Sequence, residues 1–310
     1  MKILITGGCG FIGSNIADYF VNQGHHIILF DNLLRPNVVK NLMWLISRYN
    51  KIKFLQYDIR NTDRVNQVIH DFKPDVIFHF AAQTAVTASV INPKEDFEIN
   101  ALGTFNILEA IRTSDKKPYL VFASTNKVYG EFKTDKPVNE NQPLSFSTPY
   151  GCSKGAADQY VLDFGKMYDF PVTVLRMSCI YGNRQFGTED QGWICHFMRN
   201  RNITVYGDGS QIRDVLYIDD YVRLCKMLID NQERTKGQVF NIGGGIKNSI
   251  SVNQVLDIIG KRNVTYANWR PNDQRYYVSD LTKIIEMIGW KPQISINEGF
   301  ERLKKWVSQS

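Results

Sequence analysis

Three hundred and ten residues, 43% apolar and 22% charged, describe an enzyme-sized globular chain with room for a full core and a second lobe, which excludes disorder and fibre. The net charge of +6 is modest and the basic residues are scattered, so the chain suits an anionic small molecule better than a nucleic acid. Five cysteines, at 9, 152, 179, 195 and 225, show neither CxxC nor Cys/His ligand spacing; they read as reduced intracellular thiols, with no metal site expected.

"MKILITGG" opens directly on a strand-like run, without a cleavable signal pattern, and no long apolar span follows; a soluble cytoplasmic protein with no membrane partner is expected. In chain order come "KILIT", a helix from about Ser14, "HIILFD", the basic stretch "KNLMWLISRYNKIK" read as a solvated helix face, "KFLQYD" and "VIFHFAA". A helix around 97 to 112, "YLVFAS", a helix over about 150 to 168 and "FPVTVLRMS" continue the series. Strands separated by helices imply a parallel sheet covered on both faces. From about 180 the texture turns to Gly, aromatic and Arg-rich segments with short strands such as "ITVYG", marking a smaller lobe. "RDVLYIDDYVRLCKMLID" and "QVFNIGGG" resemble the main sheet again. The expected division is 1–176 for the first domain, with 212–243 returning to it, and 177–211 with 244–310 for the substrate lobe.

"ITGGCGFIGSNIA" places Gly7, Gly8, Gly10 and Gly13 between a strand and a helix. Glycine permits the tight turn and close approach of a pyrophosphate, and the helix N-terminus stabilises the anion. The flanking strand and helix and an acid at the next strand end, Asp31 in "LFDN", strengthen the pattern into a dinucleotide site. Asp31 lies where a ribose hydroxyl partner belongs and would repel a 2′-phosphate, which favours NAD over NADP. The fold class is therefore α/β, a Rossmann-type doubly wound parallel sheet with a smaller C-terminal substrate-binding lobe. Asp58 and Ile59 stand at a later strand end, where an adenine can be held. Ala81 and Ala82 are small where backbone must pass the cofactor, and Gln83 faces the expected cleft at the strand ends.

Tyr150 and Lys154 are four residues apart and share one helix face. A free phenol titrates near ~10, so its use as a base near neutrality needs a shift of roughly three units, ~4 kcal/mol, which Lys154 and a nicotinamide charge are expected to supply. Thr125, at the tip of a neighbouring strand, is placed to hydrogen-bond the same substrate oxygen during proton and hydride transfer.

"TGGCGFIG", "STNKVYG", "YGCSK" and "DGSQIRDVLYIDD" resemble, in order and over nearly the whole chain, the extended short-chain dehydrogenases/reductases, in particular the NAD-dependent nucleotide-sugar epimerases and dehydratases. "NRQFGTEDQGW" followed by "RPNDQR" resembles the branch acting at carbon 2 of CDP-hexoses of the CDP-paratose/CDP-tyvelose type. The resemblance implies Thr125, Tyr150 and Lys154 as the catalytic triad and Gly7, Gly10, Phe11, Ile12, Gly13, Asp31, Asn32, Asp58, Ile59, Ala81 and Ala82 as cofactor contacts. It also puts Asn100, Tyr150 and Lys154 beside the cofactor, and Gln83, Asn126, Arg184 and Gln191 in the substrate site. Arg213 and Arg270 match the arginines that grip the substrate pyrophosphate, and Asp273 a position near the nucleotide ribose. Guanidinium forks suit phosphate oxygens. A homodimer formed through the helices near 97–112 and 150–168 is implied as well, although a buried intramolecular stripe would give the same periodicity.

The related 4,6-dehydratases carry an Asp-Glu pair directly after the catalytic Thr, to eliminate water. Here those positions are Asn126 and Lys127. Neither is a carboxyl group, so epimerisation is expected instead. A UDP-sugar 4-epimerase shares the same triad, and a non-catalytic dinucleotide-binding regulator shares the fold.

Overall fold

The computed structural model describes residues 1–131, 135–260, 263–270 and 273–310. Pro271 and Asn272 of the "RPNDQR" segment lie outside the described residues. Seven strands form one parallel sheet: β1 (Lys2–Thr6), β2 (His26–Asp31), β3 (Ile52–Gln56), β4 (Val76–His79), β5 (Tyr119–Thr125), β6 (Val172–Met177) and β10 (Gln238–Ile242), in the order β3-β2-β1-β4-β5-β6-β10. The winding direction reverses between β1 and β4, which opens a crevice at their carboxyl ends.

Alternation along the strands explains how both faces are covered. On β1, Ile3 and Ile5 pack with Ile16, Ala17 and Phe20 of α1 (Phe11–Asn22) and Leu42 and Leu45 of α2 (Val38–Arg48). Leu4 points to the opposite core, built with α3 (Thr62–Phe72), α6 (Gly103–Thr113) and α7 (Pro149–Met167). The "KNLMWLISRYNKIK" stretch is therefore an amphipathic helix more than a solvated face: α2 buries Val38, Asn41, Leu42 and Leu45 and leaves Val39, Met43 and Ile46 outside. Between β4 and α6 run α4 (Val86–Ile91), α5 (Pro93–Phe97) and a π-helical turn, Glu98–Leu102. The helix expected around 97 to 112 is thus a composite, and the wide turn carries Asn100 into the interior.

Two smaller sheets make the second lobe. β7 (Cys179–Tyr181), β9 (Ile212–Tyr217), β11 (Ser249–Ser251) and β13 (Tyr276–Tyr277) form one, and β8 (Asn202–Tyr206) pairs with β12 (Asn263–Ala267) in the other. The expected return of 212–243 to the first sheet divides at Tyr217. β10 is an edge strand of the main sheet, and α9 (Ile218–Asp230), preceded by α8 (Trp193–Arg199) in the second lobe, packs its buried face into the core shared with α1. β9, in contrast, pairs with β7, β11 and β13, because its ladder partners come from the second lobe.

Beneath the carboxyl end of β5, Asp158 of α7 takes both forks of Arg176 (Nε to Oδ2 2.9 Å, Nη2 to Oδ1 3.0 Å) and the Ser124 hydroxyl (2.8 Å), all buried. Removing one partner leaves a bare buried charge. Asp158→Asn should lower unfolding stability by about 3 kcal/mol, read from the urea midpoint at constant m.

Candidate active site

Gly7 adopts φ +67°, and a Cβ there would stand 2.7 Å from the Ala81 nitrogen, so the loop after β1 and the chain after β4 touch through backbone alone. At Gly13 a Cβ would fall 2.3 Å from the Gly7 carbonyl oxygen. The turn closes with the Gly10 N–H donating to the Gly7 carbonyl (3.0 Å), and the extended Gly10 starts α1 at Phe11, three residues earlier than expected. No side chain caps that terminus, so its first-turn N–H groups are left for an anion. The terminus opens on a cavity of about 710 Å³.

Gly7, Gly10, Phe11, Ile12, Gly13, Asp31, Asn32, Asp58, Ile59, Ala81 and Ala82 all line this cavity. Asp31 accepts from the backbone of Cys9 (3.0 Å) and Leu33 (2.8 Å), which ties the glycine loop to the end of β2, and burial raises its pKa. Asp58 is held by the Arg60 side chain (3.0 and 2.8 Å) and by Asn32 Nδ2 (2.9 Å). Burial opposes ionisation there, but these donors carry its pKa down to about 2. The cradle that Cβ atoms would fill, the uncapped helix and the carboxylate at the end of β2 fit a dinucleotide with a free ribose 2′-hydroxyl.

Thr125 ends β5, and its Oγ1 accepts from the Lys127 N–H (3.2 Å), capping the 3₁₀ turn Asn126–Tyr129. α7 starts nearby with Thr148 as N-cap (Oγ1 accepting from Gly151 N–H, 3.1 Å) and Pro149 in its first turn. That start fixes Tyr150, whose amide donates to the Ser89 hydroxyl (3.1 Å) and whose phenol shares the cavity with Thr125. One turn on, the Lys154 ammonium stands 4.2 Å from the centroid of the Phe122 ring. Thr125, Tyr150 and Lys154 are all buried and line the cavity.

The electrostatics bear on the expected role of Lys154. Burial pushes the Tyr150 phenol up to about 12, against the pull of Thr125 and Arg35, and burial brings Lys154 down to about 7. The protein alone holds both groups toward their neutral forms. Bringing the phenol to neutrality from there takes a larger shift than the sequence implied, and a positive charge beside it would act in that direction.

Asn100 does not line the cavity. Its Nδ2 donates to the Gln83 carbonyl (3.0 Å), Asp96 Oδ1 (3.1 Å) and Ser153 Oγ (3.1 Å), and its Oδ1 accepts from the Gln83 N–H (2.9 Å). It braces the chain after β4 against α7 from behind. Gln83 lines the cavity, but its side-chain amide is engaged by Asp96 (2.8 Å) and by both backbone groups of Ala85. Asp96 and Ser153, joined at 2.5 Å, complete this buried network, and no spacing in the sequence announces it.

At the other end, Asn126 Nδ2 donates to Gln274 (3.2 Å). Arg213 Nη2 (2.9 Å) and Lys127 Nζ (3.5 Å) meet on one oxygen of Asp273. Arg270 lines the cavity, 4.2 Å over the Tyr206 ring, and donates to the Glu189 carbonyl (3.1 Å). Gln191 closes a hairpin with Thr188 on the cavity wall. Arg184 lines the cavity with φ +69°, and its guanidinium stacks 3.8 Å over Trp44 of α2. Arg35, which sequence reasoning passed over, reaches the Thr84 hydroxyl along the cavity from the loop after β2. Its position four residues beyond Asp31 was the available signal.

A doubly wound sheet, a glycine cradle at its switch point and a buried Thr-Tyr-Lys set define a dinucleotide-dependent protein of the extended short-chain dehydrogenase/reductase type. The family described as GDP-mannose 4,6 dehydratase matches residues 4–303, and the chain belongs to it. It is 41% identical over 337 residues to the CDP-paratose 2-epimerase of Salmonella typhi, covering 99% of each chain. Among solved structures, it resembles UDP-glucose 4-epimerase with UDP-glucose from Thermotoga maritima, at 31% identity and TM-score 0.89 over 100% of this chain and 99% of that one. UDP-glucose 4-epimerase of Thermus thermophilus in complex with NAD gives 28% identity and TM-score 0.89, with both chains fully covered.

The depressed Lys154 pKa has a measurable sign. Between about 7 and the ordinary value near 10.5 the unfolded chain holds the proton that the folded one has released, so stability rises with pH across that window and is lost as pH falls toward 7. Lys154→Met removes this penalty. In the protein without added nucleotide it should be more stable than wild type by on the order of 2 kcal/mol at pH 7, a gap that closes toward pH 10 in melts taken at successive pH values.

Proposed function

We propose that the protein is an NAD-dependent nucleotide-sugar epimerase that inverts carbon 2 of a CDP-hexose of the CDP-paratose/CDP-tyvelose type. The observation that carries this reading is the buried Thr125-Tyr150-Lys154 set at the dinucleotide cradle, followed directly by Asn126 and Lys127. Elimination of water needs an acid and a base beside the sugar, and these two side chains are instead given to Gln274 and Asp273. Carbon 2 and cytidine are supported by the 41% identity to the CDP-paratose 2-epimerase and by the substrate-lobe segments around Gln191 and Arg270.

Tyr150 takes the proton from the sugar hydroxyl, and Thr125 holds that oxygen in line with the phenol. Lys154, kept beside the phenol by α7, stabilises the phenolate once charge is present. NAD held in the cradle would supply the hydride acceptor and then the donor for the carbon bearing that hydroxyl, so no net redox change would result. Between the two transfers the residues retain a ketosugar whose ring presents its other face. Arg213 and Arg270 hold the diphosphate meanwhile. Phe97, Leu102 and Tyr160, exposed on α5, the π-helical turn and α7, support a homodimer through these helices, and a cytoplasmic location belongs to the same reading.

Incubation with CDP-, UDP- and GDP-sugars, with product stereochemistry read by NMR, should give 2-epimerisation of a CDP-sugar; inversion only at carbon 4 of a UDP-sugar would replace that assignment. Tyr150→Phe should lower kcat by about 10³-fold or more. In deuterium oxide the product should carry no label at carbon 2, because the hydride returns from the cofactor. Label there would instead mean that the proton at carbon 2 exchanges with solvent, which direct hydride return does not allow. Light scattering of the purified protein should give twice the chain mass.

A further inference from the structure

We propose that Lys127 is a third cationic ligand of the substrate diphosphate, beside Arg213 and Arg270, and serves no proton transfer at the sugar carbon; this rests on the nucleotide-sugar reading above. The backbone decides the direction in which Lys127 reaches. Its N–H is tied to Thr125 Oγ1 at 3.2 Å, so the residue begins at the strand end that faces Tyr150, yet the side chain leaves along the cavity wall to Asp273 Oδ1, 3.5 Å away. Arg213 Nη2 takes the same oxygen at 2.9 Å from β9. Two cations from different lobes therefore converge on one carboxylate oxygen, with side chains that are mostly buried.

The charges in this wall do not balance. Lys127, Arg213 and Asp273 together carry one net positive charge, while Arg270 is offset by the Glu189 carboxylate on the same cavity. Arg270 spends one Nη on the Glu189 carbonyl, and its Nε has no hydrogen-bond acceptor among the described residues. The Glu189 carboxylate accepts from the Tyr206 hydroxyl at 2.6 Å. Two cations sharing one carboxylate oxygen, with the Arg270 guanidinium on the same cavity, suit an anionic ligand such as a diphosphate diester. Asp273 holds the two cations close together and carries too little charge to neutralise them.

The competing role, a base that strips a proton from the carbon next to a ketone, needs the neutral amine. Burial and Arg213 draw the Lys127 pKa down, and Asp273 draws it back. A diphosphate arriving against the same group favours the ammonium further, which suits an anion ligand and disables a base.

The test uses the NAD-loaded protein and calorimetric titration with CDP, UDP and GDP and with the matching monophosphates, on wild type, Lys127→Met and Lys127→Arg. For the nucleotide that wild type prefers, Lys127→Met should weaken the diphosphate by about tenfold or more and the monophosphate by much less, and Lys127→Arg should restore most of the loss. With the sugar nucleotide, KM should rise while kcat stays within about threefold, since uniform binding is lost. Diphosphate affinity unchanged in Lys127→Met, or a kcat loss of about 100-fold at constant KM, overturns the proposal. Should wild type bind no nucleoside diphosphate, the nucleotide-sugar reading falls and takes this one with it. If melting shows Lys127→Met to be misfolded, Lys127→Gln takes its place in the same comparison.

Discussion

Tyr150 and Lys154 stand one helical turn apart in a cavity that gives neither of them a full charge: burial drives the phenol up to about 12 and the ammonium down to about 7. Much of the surrounding structure follows from holding such a pair in place without neutralising it. A carboxylate in direct contact would restore the lysine charge but would also raise the phenol further. The acids near the pair are accordingly occupied elsewhere, Asp158 with Arg176 and Ser124, and Asp96 with Ser153, Gln83 and Asn100. What the pair lacks is a positive charge that arrives and leaves. An oxidised nicotinamide placed by the glycine cradle meets that requirement, so reactivity is coupled to occupancy of the dinucleotide site.

The scaffold supplies position with little freedom. Gly7 and Gly13 admit no Cβ without meeting backbone, so the cradle, the chain after β4 and α1 form one contact. Thr148 and Pro149 set the first turn of α7, and Ser89 pins the Tyr150 amide from α4. A shift in any of these would move the phenol relative to Thr125, and proton transfer is sensitive to such distances. The π-helical turn at Glu98–Leu102 adds a second brace, because it turns Asn100 inward between the chain after β4 and α7.

How much of this was legible before folding depends on the range of the interaction. The glycine loop, Asp31 and the Tyr150-Lys154 spacing are local patterns whose chemistry follows from a few consecutive residues, and the structure brings them to one cavity. The parallel sheet was legible from strands alternating with helices, apart from β9, whose lobe is settled by pairing with strands distant in sequence. Asn100 and Arg184 mark the limit. An Asn near the active-site strands reads as a ligand until Gln83, Asp96 and Ser153 are seen to use up its amide. Arg184 lies on the cavity as the resemblance implied, but its contact with Trp44, on another helix, is one that no spacing announces. Burial is also invisible in sequence, which is why Lys154 was credited with lowering a phenol pKa while its own charge is suppressed.

The two ends of the cavity divide the electrostatic work. Near the Tyr150 phenol burial favours the neutral forms, whereas in the wall Lys127 and Arg213 share the single carboxylate of Asp273. An anionic handle bound at the second end orients the sugar without placing a fixed carboxylate beside the first. Replacing carboxyl groups by Asn126 and Lys127 serves both ends at once. It leaves no carboxyl group at the positions where elimination requires an acid and a base, and it turns both side chains away to Gln274 and Asp273, which favours the proposed return of hydride over loss of water.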